Sequence, residues 1–180
     1  MRIIAGQWRG RVLVAPKGDT TRPTADRTRE ALFSMLTSRL GSFEGLQVAD
    51  LFAGSGALGL EALSRGAASC TFVEQDRAAL DALRANVAAL KSNADIRAQS
   101  VMALAPTNQA FDLVLMDPPY ATGAGQVALD RCRRLGWVSE TAIISIETGR
   151  EESVSLAGFA IEAERVHGKA KITLLRPKAQ

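Results

Sequence analysis

The stretch that most constrains the fold is Val48–Leu60, VADLFAGSGALGL. Val48, Ala49, Leu51 and Phe52 read as a buried strand, the glycines as a turn, and the residues from Leu58 as the first turn of a helix. Gly54, Gly56 and Gly59 stand at G-x-G-x-x-G spacing. Glycines so placed let the backbone turn sharply, approach a ligand closely and pack a helix on a strand. The amides that open the helix then face that ligand with the positive end of the dipole. A strand fed into a helix in this way calls for a parallel neighbour. The spacing alone leaves the ligand undecided, because many nucleotide sites and some plain tight turns share it.

The rest of the chain repeats the alternation. Strands are expected over Val48–Phe52, Cys70–Glu74, Ile96–Ala98, Phe111–Met116 and Ala142–Glu147. Helices are expected over Leu58–Ser64, Arg77–Lys91 and Gln126–Leu135. The rhythm then changes: Phe159–Val166 and Ala170–Leu175 look like adjacent strands joined at His167-Gly168, which marks His167 as a turn or surface residue. The fold class is therefore α/β, a doubly wound, mostly parallel seven-stranded sheet, Rossmann-like, with an antiparallel hairpin at its edge. A single domain over 1–180 is expected, with residues 46–180 as its core and 1–40 as a basic extension.

In that extension, Arg2–Ala5 and Arg11–Val14 flank Gly6–Gly10 and suggest a small hairpin. Trp8 lies at its tip beside Arg9 and Arg11, an arrangement that can stack on an unpaired base while the arginines meet phosphates. A Trp folded back as a hydrophobic plug is the competing reading. Thr24 reads as the N-cap of a helix from Ala25 to Leu40, on which Ala31, Leu32, Met35, Leu36 and Leu40 recur at helical spacing. Arg22, Arg27 and Arg29 crowd the start of that helix, where cations oppose the dipole, so a nearby anion explains them better than a purely structural role.

Charge supports this. The first 40 residues hold eight Lys/Arg against three acids, and the remainder fourteen against sixteen, so the whole basic excess of the +3 chain lies in its first quarter. Such one-sidedness points to a polyanionic partner. No apolar run approaches the roughly 20 residues of a membrane helix, and the N-terminus lacks a signal-peptide core. Cys70 and Cys132 have no metal-type spacing. A cytoplasmic protein without membrane or metal is expected.

Asp50, Glu74 and Asp117 fall at the carboxyl ends of three expected strands, where ligands bind in a doubly wound sheet. Glu74 follows Gly54 by 20 residues, about where an acid accepts hydrogen bonds from a ribose, in NAD or S-adenosylmethionine alike. Asp117-Pro118-Pro119-Tyr120 discriminates further. Asp117 precedes a proline, which forces it extended, and the two prolines remove two N–H donors. The Asp117 carboxylate and the Pro118 carbonyl leave a corner made only of acceptors. It suits an exocyclic amine, whose two hydrogens need two acceptors and whose lone pair, delocalised into the ring, must be turned toward an electrophile. The carboxylate favours the positive charge that develops during attack, and Tyr120 can stack on the base.

These residues resemble class I S-adenosylmethionine-dependent N-methyltransferases that act on nucleobase amines. More narrowly, GQWRGR (6–11), RPTADRTRE (22–30), DLFAGSGALGLEALSRGA (50–67), FVEQD (72–76) and DPPY are similar to the bacterial 16S rRNA guanine-N2 methyltransferase family usually called RsmD. The resemblance runs through nearly the whole chain in matching order. It implies S-adenosylmethionine as cofactor, held by Thr24, Asp50, Phe52, Gly54, Ser55, Gly56, Glu74, Gln75 and Ser100. It also implies catalysis by Asp117, Pro118 and Tyr120. RNA contacts would come from Trp8, Arg9, Arg11, Arg22, Arg27 and Arg29, with Arg22–Arg29 lying over the cofactor. The expected partner is 16S rRNA within a small-subunit assembly, and the expected state a monomer. Where the family offers Asp or Asn to the adenine after the third strand, this chain has Ala98-Gln99-Ser100-Val101.

Three other readings compete. A DNA adenine-N6 or cytosine-N4 methyltransferase also carries D-P-P-Y, but 180 residues leave no room for a target-recognition domain. An NAD-dependent oxidoreductase shares the glycine turn but lacks an evident proton donor. A non-catalytic RNA-binding protein would not need Asp117.

Overall fold

The computed structural model describes residues 1–18 and 23–179, with the backbone alone at 23 and 24. Seven strands form one sheet: β1 (Gln47–Leu51), β2 (Ser69–Glu74), β3 (Ala94–Ala98), β4 (Phe111–Met116), β5 (Val138–Gly149), β6 (Phe159–His167) and β7 (Ala170–Pro177). Their order is β3-β2-β1-β4-β5-β7-β6. The first five strands pair in parallel, and β7 runs antiparallel between β5 and the edge strand β6. The order reverses between β1 and β4, which is where a doubly wound sheet opens a crevice for ligands.

Helices α1 (Pro23–Leu40), α2 (Ala57–Ser64), α3 (Arg77–Leu90) and α4 (Ala124–Arg134) accompany the sheet. Buried side chains fall into two clusters. One joins Phe33 and Leu36 of α1 to Phe72, Leu83 and Leu113. The other joins Val114 and Met116 of β4 to Leu129, Trp137 and Ile144. Two hydrophobic layers on one sheet are why its central strands are apolar throughout rather than alternating. No described helix is long and apolar enough to cross a membrane.

Three local readings change. Phe52 leaves β1, because its φ of 59° is incompatible with a strand. α1 begins at Pro23, so Thr24 lies inside the helix rather than capping it; proline, with φ preset and no N–H to lose, suits a first helical position. The N-terminal hairpin is reduced to one bridge, Arg2 with Val12, and three flanking backbone hydrogen bonds. Its anchor is Glu61, wholly buried on α2, whose two carboxylate oxygens accept the Ile4 and Ala5 amides at 2.9 and 3.0 Å. Asn86 fixes the other end: it accepts from the Val14 amide and donates to the carbonyls of Val14 and Ser55.

Candidate active site

A cleft of about 1110 Å³ lies at the carboxyl ends of the strands, above the roughly 300–1,000 Å³ of a small-molecule pocket. Its floor is the turn after β1. Phe52, Gly54 and Gly56 all have positive φ, 59°, 58° and 85°. For phenylalanine that is an uncommon conformation, held by its surroundings and frequent at binding sites. The glycines divide their tasks. A Cβ on Gly54 would meet nothing within 4 Å, so the backbone there is open to the cleft. A Cβ on Gly59 would stand 2.4 Å from Phe72 Cε1 and 2.6 Å from Cys70 Sγ, and one on Gly56 2.5 Å from Leu83 Cδ1. Gly56 and Gly59 therefore serve close packing rather than the ligand.

Asp50 is 1% exposed and lies beneath this turn, with Oδ2 accepting the Gly59 amide at 2.9 Å. Burial pushes its carboxyl well above the usual carboxylate range. It is not among the residues that line the cleft, which corrects the expectation of direct cofactor contact; it shapes the turn. Glu74 does line the cleft. Its Oε1 accepts from the Gly54 amide and its Oε2 from the amides of Gln75 and Asp76, each at 2.8 Å. Three amides thus fix the carboxylate at the rim, and Oε1 keeps a lone pair for a ligand hydroxyl. Phe52, Ser55, Gln75 and Leu58 complete this side. An open glycine backbone beside an immobilised carboxylate and an apolar wall fits a cofactor of the S-adenosylmethionine type.

The second side is Asp117-Pro118-Pro119-Tyr120, all four lining the cleft. β4 and β5 pair with Met116 opposite Ile146, so the next residues, Asp117 and Glu147, emerge side by side. The Tyr120 hydroxyl donates to Glu147 Oε2 at 3.1 Å. Ala121, with φ 60°, donates its amide to Glu152 Oε1 at 2.8 Å, and Thr122 Oγ1 donates to the Pro119 carbonyl at 2.8 Å. The corner is thereby held from behind. Asp117 reaches solvent through the cleft mouth yet is crowded by protein. That desolvation, then the Glu147 carboxylate and a hydrogen bond to it, raises its carboxyl well above the usual range. Desolvation and Glu147 also push the Tyr120 hydroxyl upward.

Met1, Thr28, Arg29, Leu32, His167 and Lys169 form the facing wall. His167 is thus brought to the cleft instead of standing apart on the surface: its Nδ1 lies 3.2 Å from Thr28 Oγ1 and ties the β6–β7 turn to α1. Arg29, expected to face RNA, is 5% exposed. Its guanidinium donates to the Arg2 carbonyl and pairs with Asp26 at 3.4 Å. Burial works against its charge, and Glu61 and Asp26 offset that. Arg29, Leu32 and Leu36 share the inward face of α1 at helical spacing, a signal that the basic count around it hid.

Trp8 is partly buried against the first core cluster, nearer the plug than the free stacking platform. Arg9, Arg11 and Arg27 are exposed and stand outside the cleft lining. Ser100 also lies outside it, its Oγ accepting the Met102 amide at 3.1 Å as the cap of a short 3-10 turn. Arg22 and the side chain of Thr24 fall outside the described residues. Glu147 carries no motif. Only strand pairing brings it to Asp117.

This sheet order with one reversed strand, and a cleft that sets a glycine turn against an acid-and-proline corner, define a methyltransferase of the class I fold. At 13% identity, magnesium protoporphyrin IX methyltransferase from Synechocystis PCC 6803, solved with bound SAM, has the same fold, with a TM-score of 0.70 over 89% of this chain and 87% of that one. Residues 1–176 match the family described as Conserved hypothetical protein 95. Over 184 aligned residues the chain is 39% identical to ribosomal RNA small subunit methyltransferase D of Escherichia coli strain K12, covering 100% of this chain and 91% of that protein. The solved structure of the Escherichia coli protein yhhF superposes with a TM-score of 0.88 at 39% identity, covering 100% and 99% of the two chains. The chain belongs to this family, that of ribosomal RNA small subunit methyltransferase D.

Proposed function

We propose that this protein methylates the exocyclic N2 amine of a guanine in 16S ribosomal RNA of the small subunit, with S-adenosylmethionine as donor. The observation that carries the reading is the Asp117-Pro118-Pro119-Tyr120 corner opening on the same cleft as the Gly54 backbone and Glu74. When bound, S-adenosylmethionine supplies an electrophilic sulfonium methyl. Phe52, Gly54, Ser55, Glu74 and Gln75 hold and orient it, with Glu74 Oε1 as acceptor for a ribose hydroxyl. Asp50 and Gly56 keep the turn in shape.

Asp117 and the Pro118 carbonyl take the two hydrogens of the guanine amine and turn its lone pair into the cleft. An aromatic amine is a weak nucleophile, so this orientation and the negative field of the corner supply most of the acceleration. Tyr120, half-exposed at the mouth, stacks on the unstacked base. Arg9, Arg11 and Arg27, exposed and basic, lie where RNA phosphates can reach them.

The test uses tritiated S-adenosylmethionine with small ribosomal subunits, naked 16S RNA and duplex DNA. The expected product is N2-methylguanosine in the ribosomal RNA, abolished by Asp117→Ala. N6-methyladenine or N4-methylcytosine in DNA would replace the reading with a DNA methyltransferase.

A further inference from the structure

Among the described carboxylates that line the cleft, Glu74 is held by the glycine turn, Asp76 caps α3 and Asp117 belongs to the proline corner, which leaves Glu147 without an assignment. It stands at the end of β5, next to Asp117 through the Met116–Ile146 pairing, and is half-buried. Tyr120 donates to its Oε2 at 3.1 Å, and no other hydrogen bond to its side chain accompanies that one among the described residues apart from the contact with Asp117. Its remaining acceptor capacity therefore faces the cleft beside the corner that takes the amine.

The nucleobases differ in what adjoins their exocyclic amine. In guanine the neighbour on the Watson–Crick edge is N1–H, a donor. In adenine it is N1 and in cytosine N3, both bare acceptors. A carboxylate placed one hydrogen bond along from the amine meets the guanine edge favourably and the other two lone pair against lone pair. We infer that Glu147 reads the guanine N1–H and so selects guanine over adenine and cytosine. This inference rests on the proposed function, since it takes the amine to lie in the Asp117–Pro118 corner. Asp117 is suited to the partner role: standing beside Glu147 at the ends of paired strands, it offers its own carboxyl oxygen to the amine while Glu147 faces the neighbouring atom of the base edge.

The purine 2-aminopurine keeps the amine, replaces N1–H by a bare nitrogen and lacks O6, so the Glu147 variants decide how much of the preference belongs to N1. Splint-ligated 16S RNA would carry guanine or 2-aminopurine at the position that the wild-type enzyme labels, assembled with small-subunit proteins. The wild type should prefer guanine by about 10- to 100-fold in kcat/KM, the worth of one good base contact. Glu147→Gln presents either a carbonyl or an NH2, so the preference should fall to within about threefold. Glu147→Ala should lose more rate on guanine than on 2-aminopurine, the loss shared by both bases being the few-fold cost of the broken Tyr120 tether. An S-adenosylhomocysteine-induced rise in melting temperature equal to that of the wild type checks that each variant is folded. A role confined to holding Tyr120 or tuning Asp117 would lower both rates together and leave the ratio intact, which overturns the assignment. Equal wild-type rates on the two bases overturn it without any variant. If the wild type labels no guanine N2 at all, it is the proposed function that fails.

Discussion

Tyr120 and Glu147 meet at 3.1 Å across the mouth of the cleft, hydroxyl to carboxylate, joining the loop after β4 to the end of β5. The tyrosine is nevertheless 46% exposed, so one edge is tethered and the ring is free. Tether and ring are separable. Tyr120→Phe removes only the hydroxyl and should cost a few-fold in kcat/KM on small subunits. Tyr120→Ala also removes the stacking face, worth about 1–3 kcal/mol per base, and should cost on the order of 10- to 100-fold. Equal losses would mean that the hydroxyl matters and the ring does not.

The raised Asp117 carboxyl sets a pH dependence. A carboxyl whose folded pKa lies above its unfolded value binds more protons when folded. Stability is therefore undiminished below the unfolded value, near 4, and falls as pH rises from there toward the folded value. Asp117→Asn removes the titration while keeping an acceptor oxygen and a donor for Glu147. Its melting temperature should match the wild type at about pH 4 and exceed it at pH 8. Activity should fall less than for Asp117→Ala, for which a loss of about 10²–10³ is expected if the corner stabilises developing charge. Thermal melts at the two pH values check the sign.

The glycines give a dissociation of function from stability. Gly54→Ala adds a methyl to open space at φ 58°. Strain of about 1 kcal/mol and a blocked cradle should weaken S-adenosylhomocysteine binding far more than the fold. Gly59→Ala drives its methyl into Phe72 and Cys70, an overpacking cost of about 1–3 kcal/mol. It should lower the melting temperature first. Calorimetric titration and thermal melts on the same two variants read both effects.

The sequence carried the parallel core and the proline corner because both are written locally. Apolar runs with βα rhythm name the strands, and proline geometry follows from three consecutive residues. Glu147 and His167 were hidden for one reason: each reaches the cleft through pairing between distant segments, β4 with β5 for the first and the turn after β6 with α1 for the second. Glu74 and Asp50 are both acids at neighbouring strand ends. Only the structure separates the one at the rim from the one sealed beneath the turn. Glu61 had a local signal. It is the single charge in the run Gly59–Ser64, and every residue of that run is buried. A lone acid in so apolar a helix calls for donors from elsewhere, and the N-terminal amides supply them.

Arg27 and Arg29, two positions apart on α1, should behave oppositely. Arg27 is exposed on the basic stretch proposed to meet RNA phosphates, with no ion pair among the described residues. Arg27→Ala should weaken binding to 16S RNA without changing the melting temperature, and should reduce the slope of log K against log salt by about 0.7–0.9. Arg29 is buried, spent on Asp26 and the Arg2 carbonyl. Arg29→Ala removes the charged donor to the Arg2 carbonyl, a hydrogen bond worth about 1.5–3 kcal/mol, and empties space between α1 and the N-terminal segment. It should lower the melting temperature and speed proteolysis at Arg9 and Arg11, with the salt slope unchanged. The two variants, titrated side by side against RNA from about 50 to 200 mM salt, distinguish a guanidinium that touches the substrate from one that holds the cover in place.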